Sequence, residues 1–330
     1  MSTFCYFFIA IFVRVSIRVL SAPQVPAMFI VDSLVDNGNN NNSIASAKAN
    51  FHPYGIDIFQ GPTGRFCNGK AVVNAPSDLL GLPYLPPYTS PFLNGTALLA
   101  GVNYASAAGG ILDESGQFLA QRYSLRQQVL NFQDNLNQLR SLMSAKNVTQ
   151  YLARSIAMFV IGSNDYINNY LLPPLYLTRF NYNPQQYANL LLNHYTRQLL
   201  ALYSLGLPEF FLTGIGPLGC IPNQQAMGLA PPYRCIDQVN QMLGPFNVGL
   251  KTLVQQLNKY HTGAIFAYGN TYGALDEIIN NPKTFGFTVI DQGCCGLGRN
   301  RGQITCLPFA IPCRDRNQHV SGTHSIQHKL

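Results

Sequence analysis

Three short polar segments contain the residue types that acyl transfer requires. Ser33 follows the apolar run at 28–31 and Asp32, the segment 103–110 reads NYASAAGG, and 162–165 reads GSND. A serine hydroxyl can attack an acyl carbon, and a glycine N–H together with the Asn164 amide can bind the developing oxyanion. Each segment alone is more typical of a turn or a helix cap, so a structural role for Ser33 is the alternative.

The three segments each follow a predicted β-strand. Apolar runs predict five strands, and residues at spacings of three and four predict amphipathic helices between them. This alternation favours one doubly wound parallel sheet covered by helices on both faces, whose strand ends converge on a single crevice. The expected strands lie near 28–33, 101–106, 155–161, 209–215 and 263–268, and the clearest helices cover 125–143, 184–206 and 235–260.

The composition is typical of a secreted protein with long structured loops. Of the 330 residues, 47% are hydrophobic and only 11% are charged, whereas soluble domains average about 25% charged residues. The formal net charge of +7 is scattered along the chain, without a basic run. This pattern favours solubility and attraction to acidic cell-wall or membrane surfaces, and it argues against a nucleic-acid partner.

The N-terminal segment at 1–22 is predicted to be a signal peptide. Its apolar run at 4–13 is too short to span a bilayer, and small residues end the segment near Ala22. A buried N-terminal strand is the alternative. Asn41, Asn94 and Asn147 begin Asn-x-Ser/Thr sequons, which is consistent with glycosylation of an exported chain.

The cysteines also favour export. Most of those that follow the predicted signal peptide lie late in the chain, which indicates disulfides between loops and one thiol that is free or pairs outside the domain. A metal site is less favoured, because no CxxC motif accompanies them. These cysteines are Cys67, Cys220, Cys235, Cys294, Cys295, Cys306 and Cys313.

Several motifs together resemble the plant-type GDSL esterase/lipase family, a branch of the SGNH hydrolases. The resemblance covers residues 26–320 and implies one domain at 23–320, followed by a divergent tail at 321–330. The implied fold is a three-layer α/β/α sandwich with a five-stranded parallel sheet and flavodoxin-like winding. The matching stretches are PAMFIVDSLVDNGNNN, PTGRFCNGK, GVNYASAAGGILDESG, VIGSNDYINNY, LTGIGPLGCIP and CCGLGRNRGQITCLPFAIPC.

The resemblance also implies the reaction and the roles of individual residues. It predicts a secreted serine hydrolase of carboxylic esters, with Ser33 as nucleophile and Asn164 as an oxyanion donor. The second donor is expected to be Gly110, with Gly109 and a small neighbouring residue as alternatives. No metal or organic cofactor is expected. The expected partner is a small ester or lipid, and the chain is expected to be a monomer without stable membrane insertion.

Two departures from the family pattern qualify this prediction. The family's Phe-Gly-Asp-Ser is Ile-Val-Asp-Ser at 30–33, and no Asp-x-x-His follows near the C-terminus; Asp315 and His319 are four apart instead of three. His324 and His328 are the remaining candidates for the general base. We therefore expect impaired activity. The alternatives are a silent family member that binds an ester, lipid or glycan, and a truncated chain that does not fold stably.

Overall fold

The protein forms a central sheet of five parallel strands. The computed structural model describes residues 25, 27–32, 34–172, 175–228 and 230–321. The strand order is β2-β1-β3-β4-β5, so β2 lies on one side of β1, and β3, β4 and β5 follow in order on its other side. The strands are β1 (Met28–Asp32), β2 (Gly101–Asn103), β3 (Ile156–Val160), β4 (Glu209–Thr213) and β5 (Ile265–Gly269).

Helices connect the strands, as parallel pairing requires. The helices are α1 (Asn74–Leu80), α2 (Leu125–Leu142), α3 (Ala145–Leu152), α4 (Ser163–Asp165), α5 (Thr178–Asn181), α6 (Pro184–Ser204), α7 (Pro222–Met227), α8 (Asp237–Tyr260) and α9 (Thr271–Asn280). Shorter 3₁₀ or π turns occur at Gly95–Ala100, Gln117–Leu119, Tyr166–Tyr170, Leu218–Cys220, Pro282–Phe285, Arg299–Arg301 and Arg316–Gln318. Within the described residues, every helix is too short or too polar to cross a membrane.

Alternating strand residues supply the two faces of the sheet, because successive side chains of a strand point in opposite directions. One set joins the larger core with α2, α6 and α8, and contains Phe29, Val31, Ala157, Phe159, Phe210 and Leu212. The other set forms a smaller core with the chain around α1, and contains Met28, Ile30, Met158 and Phe211. Both faces are therefore covered, and the predicted α/β sandwich is confirmed.

Local capping explains where the helices begin. The Ser124 hydroxyl accepts from the Gln127 N–H at the start of α2. Asn183 and Gln186 form a reciprocal capping box at the start of α6, with Pro184 at the first helical position. These are the boundaries that the spacing of apolar residues predicts, to within two residues.

The second strand is shorter than predicted. It ends at Asn103, whereas the sequence favoured an extended run to 106. The Asn103 side chain explains the difference, because its Oδ1 accepts from the Ala105 N–H at 2.8 Å and turns the chain out of the sheet. After the Tyr104 N–H, which still donates to the Ile30 carbonyl at 2.9 Å, the chain leaves the sheet, and Ala107 and Ala108 line the cavity described below.

The cysteine prediction is confirmed for the described part of the chain. Disulfides join Cys220 to Cys235, Cys294 to Cys313 and Cys295 to Cys306. Cys67 is buried and free. The predicted signal peptide at 1–22, and all but the first residue of the tail at 321–330, lie outside the described residues.

A core substitution tests the packing of the larger face. Phe159 is fully buried in β3 and contacts the rings of Tyr195 and Phe210. We expect Phe159→Ala to lower the free energy of unfolding by about 3–5 kcal/mol through lost burial and a cavity. Val248→Ala on the exposed side of α8 serves as the control, and urea denaturation measures both. A loss below about 1 kcal/mol at Phe159 would contradict this packing.

Candidate active site

The ends of three neighbouring strands line one cavity. Leu34 follows β1, Ala107 and Ala108 follow β2, and Asn164 follows β3; all four residues lie in its wall. The cavity has a volume of about 420 Å³. Ser33 lies outside the described residues, but its neighbour Leu34 places the end of β1 at this site. Described residues that follow β1, β2 and β3 therefore meet at one cavity, as expected from the parallel sheet.

The rest of the cavity wall is mostly apolar. Its side chains come from two regions that are distant in sequence, around 46–66 and 305–308, and from the segments after β2 and β3. Lys48 brings a cation to the wall. The main apolar contributors are Phe51, Tyr54, Phe66, Phe118, Ile167 and Leu307. Such a lining suits a hydrocarbon chain that is attached to a polar reacting group.

Hydrogen bonds on both sides fix the amide of Asn164. Its Nδ2 donates to the Gly109 carbonyl at 3.0 Å, and its Oδ1 accepts from Asn168 Nδ2 at 2.7 Å. The two bonds define which end of the amide carries the hydrogens. Because an amide nitrogen has two N–H groups, the bond to Gly109 leaves one of them for a ligand in the cavity. The predicted role of Asn164 as an oxyanion donor requires such an N–H.

In the turn after β2, some backbone N–H groups already have an acceptor within the protein and others do not among the described contacts. Those of Ala107, Gly109 and Ile111 donate to Asp36 Oδ2, the Ser106 carbonyl and Asp165 Oδ2, respectively. Among the described contacts, the N–H groups of Ala108 and Gly110 are the remaining candidates for a bound oxyanion. Ala108 lies in the cavity wall and has a left-handed backbone, with φ of 66°.

Gly110 contacts the protein interior instead. A Cβ placed on it would lie 2.6 Å from Ser115 Cβ and 2.7 Å from Asp165 Oδ1. The absent side chain thus lets the backbone approach a buried carboxylate. Among the described residues of the 107–110 segment, Ala107 and Ala108 line the cavity. This geometry favours the small neighbour Ala108 over Gly110 as the backbone donor.

The Asp165 carboxylate holds the turn against the start of α4. Oδ2 accepts from the Ile111 N–H at 2.7 Å, and Oδ1 accepts from the Leu112 N–H at 3.0 Å and from the Ser115 hydroxyl at 2.6 Å. The group is fully buried, and the loss of hydration raises its pKa to about 6 although these hydrogen bonds lower it. Asp165 is adjacent to Asn164, so the same contact positions the amide.

The Asp36 carboxylate holds the other side of the turn. Oδ1 accepts from the N–H groups of Gly38 and Asn39 at 2.8 and 2.7 Å, and Oδ2 accepts from that of Ala107 at 3.1 Å. Burial raises the pKa of Asp36 to about 6 against these hydrogen bonds. The two carboxylates therefore connect the turn to the segments that follow β1 and β3.

His319, the described histidine whose spacing from an aspartate is closest to the family's Asp-x-x-His motif, does not line this cavity. His319 is buried, with Nδ1 3.1 Å from the Gln292 carbonyl and Nε2 3.5 Å from Asp315 Oδ1. Among the described residues that line the cavity there is no histidine. Cys313, Asp315 and His319 place potential metal ligands within 4.8 Å of one another, but the Cys313 sulfur is in a disulfide and cannot form a thiolate.

Comparison with known proteins agrees with this architecture. The sequence profile of the GDSL-like lipase/acylhydrolase family matches residues 29–324. The chain belongs to this family. A GDSL esterase/lipase of Arabidopsis thaliana is 57% identical over 298 residues, which cover 90% of this chain and 80% of the relative. A second from the same plant is 51% identical over 301 residues, covering 89% and 78%. Arabidopsis GDSL esterase/lipase 7 is 45% identical over 302 residues, covering 90% and 83%.

Family membership confirms the predicted resemblance, the fold class and the reaction class, which is hydrolysis of ester bonds by a serine. The individual roles of Ser33, Asn164 and Gly110 in this GDSL-family chain stay predictions. Sequence reasoning missed Asp36 and Asp165 as supports of the site. The only signal for them was their position shortly after β1 and β3, because nothing in their neighbourhood indicates burial.

The titration of Asp165 provides a test of its buried position. Its pKa is raised from 3.8 to about 6 by folding, so the unfolded chain loses this proton first as the pH rises. The contribution of Asp165 to stability is therefore full below pH 3.8 and is lost as the pH rises through about 6. We expect the free energy of unfolding of the wild type, relative to that of Asp165→Asn, to be higher at pH 4 than at pH 7, by up to about 3 kcal/mol. Denaturant titrations at a series of pH values measure it, and a pH-independent difference would contradict it.

A pair of glycine substitutions tests the role of Gly110. We expect Gly110→Ala to lower the free energy of unfolding by about 1–3 kcal/mol, because the added Cβ collides with Ser115 and Asp165. Gly244→Ala in α8 is the matched control, since its Cβ would meet no atom within 4 Å. The control should gain about 0.5–1 kcal/mol of stability from improved helix propensity. Thermal melts of both proteins measure the difference, and equal stability would show that Gly110 does not make this close contact.

Proposed function

We propose that this chain is a secreted hydrolase of carboxylic esters whose acyl groups are apolar, with Ser33 as the nucleophile. The cavity carries the proposal: the residue after Ser33, the Asn164 amide and the Ala108 backbone share one wall, and apolar side chains, four of them aromatic, form most of the rest. Export is supported by three disulfides among the described residues, since disulfides persist in oxidising compartments. A monomer is the proposed state.

In the proposed reaction, Ser33 Oγ attacks the acyl carbon and its proton passes to a base. The carbonyl oxygen becomes an oxyanion, which the Asn164 amide and the Ala108 N–H stabilise. Collapse of this intermediate breaks the ester bond, releases the alcohol and leaves an acyl group on Ser33. Water then attacks the acyl-enzyme and releases the acid. Removal of one preorganised oxyanion donor typically costs about 10²–10³-fold in rate.

The proposed reaction needs a general base for the Ser33 hydroxyl. His52, His194, His261 and His319 are the histidines of the described part, and none of them lines the cavity. His324 and His328 lie outside the described residues. A serine without an adjacent base is a weak nucleophile at neutral pH, and general-base assistance is worth about 10²–10⁴-fold. We therefore propose that rapid turnover requires a base from outside the described residues, with His324 and His328 as the candidates in the printed sequence.

A silent binding protein is the second candidate, and the same observation favours it. The cavity keeps an apolar wall and a fixed amide donor whether or not a base is present. An ester or lipid would then bind in the cavity without being cleaved. The two candidates share a ligand class and differ only in turnover, so a comparison of hydrolysis with covalent labelling separates them.

Removal of the Ser33 hydroxyl tests the reaction. We expect the wild type to hydrolyse short and medium acyl esters, and Ser33→Ala to lose this activity by at least about 100-fold. Ser141→Ala, which removes an exposed hydroxyl on α2, is the control and should keep the wild-type rate. Initial rates with p-nitrophenyl esters and labelling by a fluorophosphonate probe are measured in parallel. Equal rates for wild type and Ser33→Ala would exclude the serine mechanism, and a folded wild type that neither reacts nor labels would indicate the silent protein.

A further inference from the structure

The loop at 306–313 exposes large apolar side chains to solvent. Leu307, Phe309 and Ile311 are 44%, 90% and 91% exposed. The loop is nevertheless fixed at both ends, because the disulfides Cys295–Cys306 and Cys294–Cys313 anchor its first and last residues. The apolar tip is therefore held in place by covalent bonds and does not collapse onto the protein. A rigid apolar tip of this kind is typical of a surface that contacts a partner.

The backbone of Phe309 shows that the ring is held outward at a cost. Its φ is 63°, in the left-handed region that bulky residues rarely adopt. The Phe309 N–H donates to the His52 carbonyl at 3.0 Å, and the Ala310 N–H donates to that of Leu307 at 3.1 Å. Neither backbone strain nor an exposed ring helps folding. This combination points to a function of the ring outside the fold.

The same loop forms part of the candidate active site. Cys306, Leu307 and Pro308 line the cavity beside Ala108 and Asn164. Leu307 thus contributes to the cavity wall and to the exposed apolar surface. The surface therefore continues into the cavity, and a ligand held on the outside of this loop would be next to the entrance.

The adjacent chain extends the apolar surface. Leu297 and Ile304 form an antiparallel bridge, with reciprocal N–H to carbonyl bonds of 3.0 and 3.2 Å. Each of these two side chains is 49% exposed. The exposed apolar side chains of 297–311 thus lie on a segment held by two disulfides and one bridge.

Basic side chains accompany this apolar surface. Arg299, Arg301 and Arg314 are exposed. Arg299 donates to the Ala230 carbonyl at 2.7 Å and Arg301 to that of Cys294 at 3.3 Å, so the two guanidinium groups are oriented but not neutralised. No ion pair involves any of the three within the described part of the chain. Arg314 directly follows the loop, and Arg301 bonds to Cys294, the disulfide partner of Cys313, so positive charge lies beside the loop.

We propose that the 306–313 loop docks this protein on an anionic lipid surface. Phe309 and Ile311 would enter the boundary between headgroups and acyl chains, while the arginines contact anionic headgroups. Interfacial binding strength increases with both buried apolar area and charge attraction. The inference rests on the proposed function in one respect: docking places the cavity entrance next to the lipid from which an ester substrate comes.

A vesicle-binding experiment tests the docking separately from hydrolysis. Ether-linked phospholipids contain no acyl ester that the protein can cleave, so binding to them does not require turnover. Vesicles with about 30 mol% anionic lipid are compared with neutral vesicles of phosphatidylcholine analogues by co-sedimentation. The test variant combines Phe309→Asn with Ile311→Ser, since asparagine tolerates a left-handed backbone and keeps the loop geometry. Tyr260→Ser, at the opposite edge of the sheet and 71% exposed, is the matched aromatic control.

Wild type and the Tyr260→Ser control should bind anionic vesicles equally. The Phe309→Asn/Ile311→Ser variant should partition at least about tenfold less, because two large apolar side chains no longer enter the lipid. Replacement of Arg299 and Arg314 by glutamine should weaken binding to anionic vesicles and leave binding to neutral vesicles unchanged. Failure of the folded wild type to bind, or equal binding by the loop variant, would overturn the proposal. Self-association that the loop variant abolishes, without vesicle binding, would instead assign the loop to a protein interface. Docking without ester hydrolysis would contradict the proposed function and leave the docking inference intact.

Discussion

Hydrogen bonds from backbone N–H groups to the carboxylates of Asp36 and Asp165 hold the cavity turn in place. Both carboxylates are almost completely shielded from water, and both have raised pKa values for that reason. Removal of either carboxylate would leave buried N–H groups without acceptors. The cost of these unpaired groups exceeds the desolvation free energy that removal of the carboxylate recovers. Ala108 keeps its position relative to Asn164 because the turn that contains Ala108 is bonded to Asp36 on one side and to Asp165, the neighbour of Asn164, on the other.

The fold was predictable because its signals are local and repeated. Four of the five strands, all except β2, are short runs of mainly apolar residues, and every long helix repeats apolar residues at spacings of three and four. Parallel pairing then follows from the alternation of strands and helices. The error at β2 shows the limit of this reasoning. Asn103 satisfies a backbone N–H with its own side chain, and hydropathy does not record such a bond.

The candidate site was predictable only where its residues directly follow strands. Asn164 and the small residues at 107–110 were found in this way, since a parallel sheet brings strand ends together. The apolar wall was not found, because its members come from parts of the chain with no shared pattern. The choice between Ala108 and Gly110 also depended on contacts. In sequence the glycine is the more permissive residue, whereas in the structure its missing side chain makes room for Asp165.

The cavity wall combines residues 46–66 with residues 305–308, and this has a consequence for the time course of synthesis. The Tyr54 hydroxyl lies 3.4 Å from Thr305 Oγ1, and Arg316 forms an ion pair of 2.6 Å with Asp57. At ordinary rates of translation, the 251 residues between Tyr54 and Thr305 take roughly 10 to 50 s to make. During that interval residues 46–66 of the cavity wall lack residues 305–308, which complete it. The nascent chain therefore exposes the apolar side chains of residues 46–66 until residues 305–308 have been synthesised.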